Sequence, residues 1–184
     1  MNNNIDELEM QNLKKKILLI GLDKCGKTSI ALCLSGIKNL MSFYSLKPTK
    51  GVNIDTFQTL GYEYTLWDYG GQEQYRQNHI KNLRNHILKA NKLIYVIDIQ
   101  DTKRYDLALD YLNEFIKIIA EYKYIVDFSI FLHKWDPDFA LFKKEIDENL
   151  VEKLVKNIRK SFPSYFKFII QKTSIYAVFQ KTNI

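Results

Sequence analysis

Ile17-Leu18-Leu19-Ile20 is an unbroken apolar run set directly behind Lys14-Lys15-Lys16. Four apolar residues without polar alternation suit a strand covered on both faces, as in a parallel sheet. A glycine-containing loop follows, then helical spacing from about Ser29 to Leu40. Two more strands are predicted at about 52–59 and 61–67, with Gly61 at the turn between them, and 93–99 reads as another buried strand. From about 101 to 121, Tyr105, Leu109, Leu112, Phe115, Ile116 and Ile119 recur at the spacing of one helix face. The region 127–132 reads as a strand, 138–161 as a long charged helix and 166–170 as the last strand, with room after Ile175 for only a short final helix. Strands alternating with helices give an α/β fold with a mostly parallel sheet. With no repeat, linker or composition break, residues 16–184 read as one domain. Residues 1–15 read as a polar N-terminal extension, with Ile5, Leu8 and Leu13 at loosely helical spacing.

Composition narrows the class. The chain has 184 residues, of which 46% are hydrophobic, enough for a core in one domain and too many for a disordered chain. No apolar run approaches the ~20 residues that span a bilayer, and Met1-Asn2-Asn3-Asn4 is no signal segment, so a cytoplasmic location is expected. Cys25 and Cys33 alone make no disulfide framework. Cys33 reads as a small core residue, and Cys25 as a loop thiol open to oxidation. The net charge of +6 suits nucleotide phosphates, an anionic membrane face, RNA or plain solubility. Much of it is scattered along helices, as at Lys153, Lys156, Arg159 and Lys160, which is the pattern of a solvated face; no nucleic-acid partner is expected.

Gly21-Leu22-Asp23-Lys24-Cys25-Gly26-Lys27-Thr28 fits G-x-x-x-x-G-K-[ST] without a mismatch, after a predicted strand and before a predicted helix. The backbone must curl tightly around phosphates, so glycines stand where side chains would collide. The amides from Asp23 to Ser29 and the helix N-terminus then point at the anion. Lys27 is expected to neutralise the β- and γ-phosphates, and Thr28 to offer its hydroxyl to Mg²⁺. This loop alone does not separate ATP from GTP.

The base is read elsewhere. His133-Lys134-Trp135-Asp136 follows a predicted strand. Asp136 is placed to accept from the N1–H and exocyclic amino group that guanine has and adenine lacks, which would leave a buried acceptor unpaired with adenine. The stem of Lys134 suits the flat face of the base, and Thr173-Ser174-Ile175 offers a backbone amide to guanine O6. Trp67-Asp68-Tyr69-Gly70-Gly71-Gln72-Glu73 ends another strand. There Asp68 is expected to hold Mg²⁺ through water, the amide of Gly71 to reach the γ-phosphate, and Gln72 to orient the attacking water. Thr49, within Pro48-Thr49-Lys50-Gly51-Val52-Asn53, would give Mg²⁺ a second hydroxyl. Lys27 and Gln72 are thus the catalytic candidates. His79 and His86 read as surface or helix-packing residues.

Over residues 16–176 these motifs resemble the Ras-like small GTPase superfamily. The Gly-Leu-Asp opening, the stretch 48–53 and Trp67-Asp68-Tyr69-Gly70-Gly71-Gln72 look like the Arf branch. Leu93–Asp98, His133–Asp136 and Thr173–Tyr176 are similar to stretches of the Rag/Gtr branch. The resemblance implies a six-stranded sheet flanked by helices with one antiparallel edge strand. It also implies a GTP/GDP- and Mg²⁺-dependent switch served by effector, exchange-factor and activating proteins. His133 stands where most members have Asn, as in Rag proteins, and its ring is expected to donate a hydrogen bond to the phosphate loop. Asn2 cannot take the Arf myristoyl group, and Lys181-Thr182-Asn183-Ile184 offers no prenylation cysteine. Contact with a membrane through the N-terminal segment is therefore a weak expectation, opposed by Asp6, Glu7 and Glu9. Of the aromatic trio of the Arf effector surface, Trp67 remains, with Val52 and Asn82 at the other two places. No arginine precedes Thr49, so slow turnover without a partner arginine is expected. The second reading is a hydrolysis-poor, GTP-bound scaffold of a Rag-like assembly, against which Gln72 argues; Lys134 and Asp136 argue against an ATPase.

Overall fold

The computed structural model describes residues 13–37, 39–137 and 148–175. The elements run β1 (Lys14–Gly21), α1 (Lys27–Leu34), α2 (Leu40–Tyr44), β2 (Val52–Thr59), β3 (Tyr62–Tyr69), α3 (Glu73–Ile87), β4 (Lys92–Asp98), a 3₁₀ turn (Thr102–Arg104), α4 (Tyr105–Glu121), β5 (Asp127–His133), α5 (Glu148–Ser161) and β6 (Phe168–Thr173). They build one six-stranded sheet in the order β2-β3-β1-β4-β5-β6. Only β2 is antiparallel, paired with β3; every other pair is parallel. The expected architecture, with its antiparallel edge strand, is the observed one.

The apolar runs do what their lack of alternation predicts. Leu18, Leu19, Ile20, Leu93, Tyr95 and Val96 have at most 1% of their surface exposed, because helices cover both sheet faces. One face packs against α3, α4 and α5 through Leu83, Leu112, Phe115, Ile119 and Ile158. The other carries a smaller cluster in which Ile30 and Ala31 of α1 cover Ile17, Leu19 and Leu66. The hairpin turn lies at Leu60-Gly61, both with positive φ, which matches the twist of the flanking strands.

Four expectations need correction. The helix read as 29–40 stops at Leu34, where Ile37 N–H returns to Leu32 O and Gly36 N–H to Cys33 O, with Gly36 left-handed. This double closure is a Schellman end. Cys33 is exposed, because the buried face of α1 is Lys27, Ile30 and Ala31. Helix α3 was not foreseen: its inward stripe is His79, Leu83 and Ile87, and a histidine at the head of the stripe breaks the apolar signal. The last strand is shifted to Phe168–Thr173. The segment 138–147, the N-terminal residues through 12 and the proposed final helix lie outside the described residues.

Candidate nucleotide-binding site

The parallel strands all end at one edge of the sheet, and the loops leaving them form the site, as open α/β sheets require. The loop after β1 is wound tightly. Gly26 has φ 96°, and a Cβ there would run into the ring of His133. Lys24, a non-glycine, is also left-handed at φ 62°, a conformation that costs about 1 kcal/mol and marks a loop held by its surroundings. Helix α1 then starts with no side-chain cap and no acidic residue in its first turn, so its leading N–H groups stay available to an anion. A cavity of about 660 Å³ opens over this loop, lined by Asp23, Lys24, Gly26, Lys27, Thr28 and Ser29. The segment 46–49, Tyr69, Gly71, Gln72 and Lys134 complete its walls.

Lys27 is 5% exposed, and its ammonium donates to Leu22 O at 2.6 Å. Cys25 is turned away from the cavity and buried beside it, 3.7 Å from the Lys27 ammonium. Burial pushes its thiol above the usual range, outweighing the nearby cation. An oxidation-sensitive loop thiol is therefore not what the fold provides.

Thr28, Thr49 and Asp68 meet from three separate segments. Thr28 Oγ1 donates to Asp68 Oδ2 at 2.6 Å, Thr49 Oγ1 lies 3.1 Å from the same oxygen, and the two hydroxyls are 3.1 Å apart. Asp68 Oδ1 is buried without a partner, and burial pushes this carboxyl up against the Thr28 bond and the Lys27 charge. Two hydroxyls and an under-satisfied carboxylate are an all-oxygen donor set of the kind that fits a hard cation such as Mg²⁺.

Gly70 N–H donates to Gly51 O at 2.7 Å, and His79 Nε2 lies 3.0 Å from Gly70 O. Gly71 packs so closely on the Leu22–Asp23 peptide that a Cβ there would collide with it. Gln72 opens α3, with Oε1 buried and unpartnered at the cavity wall.

The loop after β5 joins the same site. Lys134, left-handed at φ 63°, donates from Nζ to Lys24 O at 2.8 Å and pairs with Asp98 Oδ2 at 2.6 Å. Asp136 accepts from the Ser174 hydroxyl at Oδ1 and from Gln100 Nε2 at Oδ2. Trp135 N–H donates to Thr173 O, and Lys172 lies over the Trp135 ring. Ile175 is half-buried against the cluster beneath α1. His133 does tie this loop to the phosphate loop, but by packing its ring on Gly26, while Nδ1 is engaged with Thr173 Oγ1 at 3.0 Å. His133, Cys25, Asp136, Thr173, Ser174 and Ile175 do not line the cavity over the phosphate loop; they stand behind or beside it.

The residues that brace the site were missed. Asp98 closes β4, where the sequence shows only a Rag/Gtr-like stretch, and Gln100 and Arg104 follow it in a turn that no local motif marks. Arg104 pairs with Asp23 Oδ1 at 2.8 Å, donates to Asp23 O at 3.1 Å, and binds Asp101 from Nε at 2.5 Å. An acidic side chain in a phosphate loop is thereby given a counter-ion. Of the expected effector trio, Trp67 is half-buried under Lys16, Val52 packs on the core, and Asn82 bonds back to Asn78.

All three histidines are held below the ordinary imidazole value: His79 and His86 by burial first, and His133 by burial and then by Lys134. A depressed pKa means that the unfolded chain takes up protons while the native chain does not. The resulting stability is present above about pH 6.5 and is lost as pH falls through the folded values. Asp68, shifted upward, acts in the opposite sense, adding stability as pH falls through its folded value. The urea midpoint of the nucleotide-free protein is expected to fall between pH 7.5 and 5.5, and a His79→Gln/His86→Gln/His133→Gln variant should flatten that slope.

The sequence model of the ADP-ribosylation factor family matches residues 1–179. The chain belongs to this family. ADP-ribosylation factor-like protein 2 of Dictyostelium discoideum is 32% identical over 147 residues, covering 79% of this chain and 74% of the relative. ADP-ribosylation factor-like protein 3 of Chlamydomonas reinhardtii is 34% identical over 146 residues, covering 77% of each. Among solved structures, the Arl6 BBS3 small GTPase of Trypanosoma brucei, with the nucleotide analogue GppNp bound, superposes with a TM-score of 0.62. That pair shares 21% identity over 88% of this chain and 87% of the other, which shows the fold. The Arf-like protein is thus a Ras-like small GTPase, a GTP-hydrolysing, nucleotide-dependent switch. These matches bear out the Arf-related reading and do not bear on the Rag-like stretches. Among the described residues, no helix is long and apolar enough to cross a membrane.

Proposed function

We propose that the cavity over residues 23–29 takes GTP with Mg²⁺ and that this site hydrolyses it slowly to GDP. The observation that carries this is the meeting of Thr28, Thr49 and Asp68 beside the buried Lys27 ammonium. Three segments far apart in sequence bring together two hydroxyls and a carboxylate that keeps one buried oxygen unpartnered among the described residues. Lys27 and the amides of residues 23–29 hold the phosphates and stabilise charge on their oxygens. Thr28, Thr49 and, through water, Asp68 would hold Mg²⁺, which when bound neutralises charge on the β- and γ-phosphates. The Gly71 amide meets the γ-phosphate, and Gln72 orients the attacking water. His133, Lys134, Asp136 and the backbone of 173–175 enclose the guanine. When the γ-phosphate leaves, Thr49 and Gly71 lose a shared partner, so the loops at 48–51 and 70–72 are free to change shape for effectors. Residues 45–48 hold no arginine, so an activating protein would supply one. Exchange factors would act on the same loops, and peripheral membrane contact is the weakest proposed role, assigned to the residues before β1, since Lys14 and Lys15 of the expected extension belong to that strand.

Gln72→Leu tests the catalytic part. Single-turnover phosphate release should slow about 10²-fold, the usual cost of a misplaced reactant. GDP affinity should stay unchanged, because Gln72 stands at the γ-phosphate end. A non-catalytic scaffold would show the same release from both proteins.

A further inference from the structure

Gln100 stands two residues past the end of β4, yet it is bonded to the loop after β5. Its Nε2 donates to Lys134 O at 2.8 Å and to Asp136 Oδ2 at 3.2 Å. Both partners are acceptors only, a carbonyl and a carboxylate, which settles which end of the amide faces them. Its backbone N–H donates to Asp98 Oδ1 at 2.9 Å, and the other Asp98 oxygen holds the Lys134 ammonium at 2.6 Å. One short turn, Asp98 to Gln100, therefore grips the lysine side chain, the lysine carbonyl and the Asp136 carboxylate together.

We infer that Gln100 is a positioning residue that aims the Asp136 carboxylate at the base and so sets the choice among purine nucleotides. The inference rests on the reading of Asp136 as the base-selecting acceptor. An ionised carboxylate has about four acceptor sites. The Ser174 hydroxyl takes one on Oδ1 and Gln100 takes one on Oδ2, which among the described residues leaves one free on each oxygen. Guanine presents two adjacent donors, N1–H and the 2-amino group, so it needs both remaining sites in one fixed orientation. Without Gln100 the carboxylate is pinned at Oδ1 alone and is free to turn about that bond. The second hydrogen bond, the one that reads the 2-amino group, then weakens most.

Inosine diphosphate is the probe, because it keeps N1–H and O6 and lacks only the 2-amino group. The full chain is loaded with fluorescent GDP, and displacement by GDP, inosine diphosphate and ADP is measured. The proteins compared are the native chain, Gln100→Leu, which removes the donor at similar size, and Gln100→Glu, which sets a second carboxylate against Asp136. The native protein should prefer GDP to inosine diphosphate, and that ratio should shrink roughly 10–150-fold in Gln100→Leu, the weight of one hydrogen bond to a charged group. It should shrink further in Gln100→Glu, which also keeps the experiment decisive if the leucine variant folds poorly. Equal weakening of GDP and inosine diphosphate would mean a structural role only and would overturn the inference, as would an unchanged ratio. If the native chain itself shows no preference for GDP over ADP, the reading of Asp136 fails first, an outcome distinct from failure of Gln100 alone.

Discussion

Lys27→Ala is expected to lower affinity for GDP and GTP by about 10²–10³-fold. The ammonium is almost wholly buried, and its short bond is to a backbone carbonyl, Leu22 O, with the Cys25 thiol further off. A desolvated cation with spare donor protons gains most from an anion placed against it. Breaking a buried charge pair costs about 3–5 kcal/mol, and each 1.4 kcal/mol is tenfold in affinity. The nucleotide-free variant should differ little in stability from the native protein, because relief of the ammonium's desolvation offsets loss of its bond to Leu22 O and of its charge near Asp68. Two measurements separate these effects. Calorimetric titration with GDP and magnesium reads the affinity, and the melting temperature with and without GDP reads the ligand-dependent stability, which rises by mass action only where the ligand binds. Native protein should melt higher with GDP, and Lys27→Ala should gain markedly less at the same GDP concentration. A variant that kept its GDP affinity within about threefold, well under one decade, would remove Lys27 from the phosphate site.

The parts of this site legible in the sequence are those in which neighbouring residues do the work. A tight turn between strand and helix fixes Gly21, Gly26, Lys27 and Thr28 at set spacing, and Asp68 to Gln72 follow directly from the end of β3. What stayed hidden spans long separations or breaks the local signal. Arg104 reaches Asp23 across 81 residues and Gln100 reaches Asp136 across 36, and both sit in a turn whose composition is ordinary. Helix α3 was hidden because His79, buried and bonded to Gly70 O, occupies a place that periodicity expects to be apolar. The position of Cys33 failed for the converse reason: α1 covers so small a cluster that only three of its positions turn inward. His133 shows a middle case. Its link to the phosphate loop was foreseen, but the absence of a side chain at Gly26 makes the contact one of packing.

Asp136→Ala should leave a protein that still holds phosphates but has lost its choice of base. The carboxylate is fixed on both oxygens, by Ser174 and by Gln100, and is joined through the loop to Lys134, whose ammonium already touches the phosphate loop at Lys24 O. Removing it deletes two hydrogen bonds to guanine from a charged acceptor, at about 1.5–3 kcal/mol each, so GDP affinity should fall roughly 10²–10⁴-fold. ADP affinity should hardly change, because adenine offers that acceptor no matching pair of donors. The preference for guanine over adenine should therefore collapse through the guanine term alone. Asp136→Asn sharpens the test. An amide presents a donor where the carboxylate had only acceptors, so xanthosine diphosphate, which carries a carbonyl in place of the 2-amino group, should become the better ligand while GDP weakens. Competition of the three diphosphates against one fluorescent nucleotide reads all of this in a single series. Parallel losses for GDP and ADP in both variants would mean that the loop after β5 shapes the cavity without reading the base. A selective loss of GDP, with xanthosine diphosphate gained in the asparagine variant, is the result required if this carboxylate decides which nucleotide drives the switch.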